Sequence, residues 1–355
     1  MTRVTIADIA RQANVSTSAV SYALNGRPGV GEATRQEILT IARNMGWRPN
    51  QAARALQAAR AHAAGLVFLR AKDTAEESSG FLLRFMDGIE SELSEHDTVL
   101  VIHAVHEISA EIEVYERWYA EHRVDGVVVI NPVVDDPRLP ALLQVGLPAV
   151  VAGDIRGSSP LPAVWTDDAE AATLAVEYMV SLGHHRIARV GGALDYLHTR
   201  IRSDAFGKAI AAAGLPGDLC IDNATQHDAE RITRRLLSRK RPPTAILYET
   251  DTMAMRGLTT LRELGISVPA DLSVMVWEDS PMCRLAYPPL TALRRDAFNY
   301  GRLVAAHLLT RLSGQPVTDR RGTVAEIQVR ESTGPAPHRL AHEDAARRGQ
   351  PDALT

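Results

Sequence analysis

Val4-Thr5-Ile6-Ala7-Asp8-Ile9-Ala10-Arg11-Gln12-Ala13-Asn14-Val15-Ser16-Thr17-Ser18-Ala19-Val20-Ser21-Tyr22-Ala23-Leu24-Asn25-Gly26 holds two short helical periods separated by a polar break. Ile6, Ile9, Ala10 and Ala13 recur at i, i+3, i+4 and i+7, one face of a helix of about two turns. Asn14-Val15-Ser16 interrupts the period, and Ser16 suits the N-cap of a second helix over Thr17–Leu24. There Ala19, Val20, Ala23 and Leu24 turn inward and leave Thr17, Ser18, Ser21 and Tyr22 outward, until Asn25-Gly26 ends the run. A third helix over about Glu32–Met45 puts Ile38, Ile41, Ala42 and Met45 on one side and stops at Gly46. Two short helices joined by a three-residue turn, with a third closing the core, form the layout of a helix-turn-helix. Periodicity alone also allows a small helical bundle with a polar second helix.

Charge separates this head from the rest. Residues 1–60 carry eight arginines against Asp8, Glu32 and Glu37, a net of +5, within a chain of net charge −4. A basic head on an acidic body suits a head that meets a polyanion. Length, 355 residues, and 45% hydrophobic content allow two or three domains with their own cores. No apolar run is long enough to span a membrane, and the N-terminus carries no secretory pattern. Cys220 and Cys283 are too few for a disulfide framework or a multi-cysteine zinc site. The expected setting is the cytoplasm, on the nucleoid.

Val4-Thr5-Ile6-x-Asp8-Ile9-Ala10, Val15-Ser16-x-x-x-Val20-Ser21, Leu24-Asn25 and Pro49-Asn50-x-x-Ala53-x-x-Leu56 together resemble the headpiece of the LacI/GalR family of transcriptional regulators. The likeness runs without a gap through about residue 58 and continues to about Gly334. It implies an all-α headpiece over residues 1–48, a hinge helix and linker over 49–61, and an effector-binding domain over 62–334. It also implies roles. Thr17, Ser18 and Tyr22 stand where base edges are read in the major groove. Thr5, Ser16, Ser21, Asn25 and Thr34 stand where short donors hold phosphates and set register. Asn50 and Ala53 belong to the hinge helix in the minor groove, with Leu56 as the wedge that kinks the central step. Ala52, Ala53 and Ala55 are small helix formers, and Leu56 is the one large apolar side chain between Trp47 and Gly65. Tyr22 replaces the usual arginine, which takes guanine bidentately. Gly31 replaces a common Ser N-cap, so the third helix starts more weakly.

Past Ala64, short apolar runs alternate with amphipathic stretches: 65–69, 99–102, 126–130 and 148–152, then 187–190, 219–221, 245–248 and 273–277. That alternation predicts α/β architecture with parallel sheets covered on both faces. The resemblance makes it a periplasmic-binding-protein-like (type I) domain of two Rossmann-like subdomains. The first is expected over about 62–160 and 291–322, the second over about 161–290 and 323–334. Residues 335–355, rich in Pro, Ala, Arg and Gly, read as a disordered tail. With Leu340 and Leu354 its only large aliphatics, the tail lacks a heptad seam for tetramers.

Ligands of open α/β sheets gather beyond the carboxyl ends of the strands. Those ends fall near Arg70, Asn131, Asp154, Gly191-Gly192, Glu249-Thr250-Asp251 and Glu278-Asp279. By resemblance, Arg202 in Arg-x-x-Ala-Phe is the arginine that reaches effector hydroxyls or carboxylates. Glu278 stands for an aspartate that accepts sugar hydroxyls, and Thr250 for an asparagine. Asp154 is shifted in register, and Phe81 is either a stacking ring or core. Asp251 reads as an N-cap. The implied partners are double-stranded operator DNA of near-palindromic sequence, a small carbohydrate-like effector and a second copy of the chain.

Other signals point away from chemistry. Gly191-Gly192 completes no dinucleotide fingerprint, and no phosphate loop occurs. His184-His185 lies in a packing turn rather than a ligand cluster, and His338 and His342 sit in the tail. No nucleophile–base pair or carboxylate dyad is assembled by any motif, so no cofactor, metal or catalysis is expected. The rival readings are a solute-binding protein with the same cleft and an enzyme on a Rossmann-like scaffold.

Overall fold

A computed structural model describes residues 4–47, 60–70 and 80–337. The chain divides into two compact units, Met1–Ala61 and His62–Thr355.

In the smaller unit α1 (Ile6–Ala13), α2 (Thr17–Leu24) and α3 (Glu32–Asn44) enclose Ile9, Ala10, Val20, Ala23, Ile38 and Ala42. Local chemistry sets each start. Thr5 and Asp8 form a capping box at α1, and the Ser16 hydroxyl accepts from the Ala19 amide at 3.1 Å to begin α2. Asn14, left-handed at φ 52°, closes α1 and turns the chain. Gly31 gives α3 no side-chain cap. Leu24 and Ala19, read as inward, are only half-buried, because the small core closes on Val20 and Ala23. The hinge residues Asn50, Ala53 and Leu56 lie outside the described residues.

The larger unit runs β1 (Ala63–Leu69), α4 (Gly80–Ser94), β2 (Val99–Val105), α5 (Ile108–Ala120), β3 (Gly126–Ile130), α6 (Arg138–Val145), β4 (Ala149–Ala152) and β5 (Ala163–Trp165). It continues through α7 (Asp168–Ser181), β6 (Ile187–Val190), α8 (Leu197–Ala212), β7 (Cys220–Ile221), α9 (Ala229–Leu237), β8 (Ala245–Tyr248), α10 (Asp251–Glu263) and β9 (Ser273–Val276). It closes with α11 (Pro281–Leu285), β10 (Thr291–Arg294), α12 (Ala297–Leu312), β11 (Arg320–Arg321) and β12 (Glu326–Gln328). Two six-stranded sheets result, ordered β11-β5-β4-β3-β1-β2 and β12-β10-β9-β8-β6-β7. Every pairing is parallel except β10 with β12. The central strands are buried on both faces, which is why they read as unbroken Val/Ile/Ala runs.

Each sheet with its helices makes one lobe, and the chain passes between the lobes three times. The first passage follows Trp165 rather than residue 160, because β5 pairs with β4 of the first sheet. The second follows Arg294 rather than residue 290, because β10 pairs with β9 of the second. The third lies between β11 and β12. Residues 335–337, expected in the tail, are held to the fold, since the Ala336 amide donates to the Leu182 carbonyl at 2.9 Å; the rest of the expected tail, with His338 and His342, lies outside the described residues.

Helix α12 belongs to the first lobe despite its late position. Tyr300, Val304, Ala305 and Leu308 share a core with Leu66, Val128 and Val150. It crosses α4 backbone against backbone. A Cβ on Gly88 would stand 2.0 Å from the Phe298 carbonyl oxygen, and one on Gly301 2.1 Å from that of Phe85. Only glycine allows that approach, and it brings Phe81 on α4 beside Arg295 ahead of α12.

Candidate functional site

On the headpiece, α2 presents Thr17, Ser18 and Tyr22 to solvent, while Ser21 is half-buried. The Tyr22 ring lies over Gly29, where an added Cβ would come within 3.3 Å, and the tyrosine stays 41% exposed. The flanking polar groups have local duties as well. Thr5 donates its hydroxyl to Asp8 Oδ2 at 2.7 Å, and with it holds the Asp8 carboxyl below the usual range. Asn25 Nδ2 donates to the Ser21 carbonyl at 2.9 Å. Ser16 spends an acceptor on the cap, which leaves its O–H free to donate. Thr34 is half-buried in the first turn of α3. A short helix with small polar side chains and one aromatic on its open face fits a DNA groove.

In the larger unit the second site is a chain of buried charges at the strand ends. Arg202 on α8 donates from Nε to Asp168 Oδ1 at 3.0 Å and from Nη1 to Glu249 Oε1 at 2.5 Å. Its guanidinium lies 4.4 Å above the Trp277 ring. The other Glu249 oxygen takes Arg189 Nη2 at 2.7 Å. Arg295 reaches the same Asp168 oxygen at 3.3 Å and lies 4.8 Å over Phe81. The signs alternate from Arg189 through Glu249, Arg202 and Asp168 to Arg295, so each charge offsets the desolvation of its neighbours. Burial would raise the Glu249 carboxyl, but Arg202 and Arg189 together hold it below its ordinary value. Arg295 is less well served: burial and the Arg202 charge pull its pKa down against Asp168 and Glu278. His198, beside Arg202 on α8, is pushed down to about 4 by burial and then by that guanidinium. It stays neutral near pH 7.

The five residues expected to meet an effector divide. Phe81 and Glu278 line one cavity of about 430 Å³ together with Arg295. Phe81 is both core and wall, stacked on Phe85 at 6.0 Å and covered by Arg295. Arg202 joins them through Asp168, with each of its three nitrogens directed at Asp168 or Glu249. Thr250 is the N-cap of α10, accepting from the Met253 amide at 3.2 Å, and Asp251 is the first helical residue rather than the cap. Asp154 grips Arg156 at 2.8 and 2.9 Å, and that arginine lies 3.5 Å over Trp165. Arg295, Asp168, Trp277 and His198 were not singled out by the sequence; the aromatic Trp277 just past a strand end was the nearest signal.

Across the cleft the lobes also meet backbone to backbone. Leu197 N–H donates to the Pro132 carbonyl and Val134 N–H to the Asp195 carbonyl, each at 2.9 Å. The loop carrying Pro132 and Val134 is stiffened by Asp136, which accepts from the Val133 amide and binds Arg138 at 2.7 Å. Arg138 is buried and also paired with Glu111 at 2.9 Å. His184 is fully buried, hydrogen-bonded to Thr244, Ser273 and the Gly334 carbonyl, as a packing role requires. No helix among the described residues is long and apolar enough to cross a membrane.

Comparison with known proteins agrees with both halves. Residues 5–50 match the model for bacterial regulatory proteins of the lacI family, and residues 176–333 match that for a periplasmic binding protein-like domain. The HTH-type transcriptional regulator AglR of Rhizobium meliloti (strain 1021) is 30% identical over 344 residues, 95% of this chain and 96% of the relative. The structure of a transcriptional regulator CelR–cellobiose complex is similar at 27% identity with a TM-score of 0.70, over 93% of this chain and all of that one. The lac repressor dimer bound to operator and the anti-inducer ONPF, at 23% identity, shares the fold with a TM-score of 0.82 over 94% of this chain.

Proposed function

The chain belongs to the LacI family of bacterial regulatory proteins, whose members are DNA-binding transcriptional regulators, and from that premise we propose a repressor controlled by a small molecule held between its two lobes. The observation that carries the reading is α2, with Thr17, Ser18 and Tyr22 exposed along one face of a basic headpiece. In this reading those three touch base edges, and Thr5, Ser16, Ser21, Asn25 and Thr34 hold phosphates. Asn50, Ala53 and Leu56 enter the minor groove as a hinge, with Leu56 as the wedge. The protein works in the cytoplasm, binds an operator and catalyses nothing.

One helix-turn-helix reads a few base pairs, so a second copy is needed for an operator-length site. Leu285 and Tyr287, 85% and 93% exposed beside Met282, supply an apolar patch of the kind that a partner copy covers. The effector enters the cavity walled by Phe81, Glu278 and Arg295, within reach of Arg202's network. A ligand that binds one arrangement of the lobes more tightly shifts their balance, and the hinge starts move with them. That CelR is seen with cellobiose supports a carbohydrate-like effector.

Selection of operators from random DNA by the full chain tests the reading. The expected product is a near-palindromic site, with affinity falling steeply in salt as phosphate contacts demand. Leu56→Ala should weaken binding to that site strongly. Recovery of no preferred sequence would remove the proposal.

A further inference from the structure

The cavity that holds Phe81 and Glu278 has a charge that a neutral sugar leaves unanswered. At about 430 Å³ it is the size of a small-molecule site. Five arginines border it: Arg84, Arg284, Arg294, Arg295 and Arg330. Three acids among the described residues face them, and each is engaged. Asp279 binds Arg330 at 2.8 Å and Arg284 at 3.8 Å. Asp296 caps α12, accepting from the Asn299 amide at 3.0 Å and its Nδ2 at 2.6 Å. Glu278 lends its charge to Arg295.

What remains among the described residues is cationic. Arg294 is exposed and makes no ion pair among the described residues; Glu326 stands opposite it in the β10–β12 ladder without reaching it. Arg84, 5.2 Å over the Phe298 ring, has Asp87, on its own helix and in solvent, as its one carboxylate among the described residues. In ion-pair range among the described residues Arg295 has Asp168, which it shares with the nearer Arg202. The N-terminus of α12 opens on the same space through Ala297 and Phe298, and its dipole adds to the positive field.

We propose that the effector is an anion of monosaccharide to disaccharide size, whose carboxylate or phosphate docks among Arg84, Arg294 and Arg295 while Glu278 accepts its hydroxyls. This rests on the cleft being the effector site. A planar guanidinium fork matches either anion bidentately, and two such forks converging on one group discriminate against uncharged sugars. Burial and the Arg202 charge, which lower the Arg295 pKa from its ordinary value, are offset when a negative group arrives.

Thermal denaturation of the full chain at fixed ionic strength tests this. D-glucuronate and D-glucose 6-phosphate serve as the anionic probes, D-glucose and cellobiose as the neutral ones. At least one anionic probe should raise Tm by roughly 5 °C near saturation, and which one responds separates carboxylate from phosphate. The neutral probes should shift it little. Arg295→Gln and Arg294→Gln should each abolish the shift. Arg294 is exposed and ion-paired to no described residue, so that variant keeps the fold even if Arg295→Gln does not. No response to either anion overturns the proposal. A neutral sugar that stabilises parent and both variants equally overturns it too, while leaving the cleft reading intact. Anion stabilisation that survives both substitutions places the anion elsewhere and defeats both.

Discussion

Val133 and Tyr196 pair as a lone antiparallel bridge that fastens the loop after β3 in one lobe to the turn ahead of α8 in the other. The bonds beside it run through the main chain, so no side-chain truncation removes them.

Proline at position 197 does remove one. Leu197 is the first residue of α8, where proline is tolerated, and Tyr196 at φ −77° and ψ 130° already has the backbone that precedes a proline. Leu197→Pro deletes the donor to Pro132 and leaves the helix in place. One hydrogen bond contributes about 1 kcal/mol, so the balance of open and closed lobes should move about fivefold toward open. Small-angle scattering should give a larger radius of gyration, and the Val134 amide should exchange faster. An unchanged profile would mean that the bridge follows closure rather than holding it.

Where α4 crosses α12, a single methyl is the test. Gly301→Ala puts a Cβ 2.1 Å from the Phe85 carbonyl, and backbone cannot step aside as a flexible side chain can. Overpacking of this kind costs about 1–3 kcal/mol, and the denaturation midpoint should fall accordingly. The displaced helix carries the Phe81–Arg295 wall with it, so effector affinity should drop more than headpiece stability. Unaltered stability would mean that the two helices are free to part.

Acid should destabilise the larger unit through two histidines. His184 and His198 are each pushed down to about 4 by burial, against about 6.5 in an unfolded chain. Below pH 6.5 the unfolded chain takes up protons that the fold refuses until about pH 4. Stability is therefore full above pH 6.5 and lost as pH falls through that window, by up to about 1.4 kcal/mol per pH unit for each histidine. Urea midpoints at pH 7 and pH 5 measure this. His184→Gln, which forfeits partners in Thr244, Ser273 and Gly334, should be weaker at pH 7 and show a shallower loss toward pH 5.

For the headpiece, Tyr22→Arg should change the base preferred opposite that position to guanine. Arginine offers two donors to O6 and N7 where tyrosine offers one hydroxyl, a discrimination of about 1–3 kcal/mol. Selection with the variant should show it in the consensus. The same consensus from both proteins would place residue 22 off the bases.

Much of this fold can be read along the chain because its signals are local. Ser16 announces the start of α2, and buried parallel strands such as Gly126–Ile130 show as apolar runs. The lobe boundaries were misplaced by a few residues because β5, β10, β11 and β12 are two to four residues long, too short for any period. The site was harder to see. Arg202 and Glu278 are legible from resemblance, yet Asp168, Glu249 and Arg295 meet only through the fold, Asp168 and Arg295 being 127 positions apart. Thr250, expected at the ligand, caps α10, and one threonine at a strand–helix junction can serve both purposes.

The three passages between lobes have a consequence for how the protein is made. The core around Leu66, Val128 and Val150 is closed by Val304, Ala305 and Leu308, which leave the ribosome after every strand of the second sheet except β12. At about 5–20 residues per second, roughly 10–50 s pass between the first and last of these side chains. Through that interval the nascent first lobe holds an open apolar face, while the headpiece, contiguous in sequence, has all of its core in hand. Birth order thus runs from the part that reads DNA to the part that governs it, and the second lobe's main strands are present before the first lobe can close.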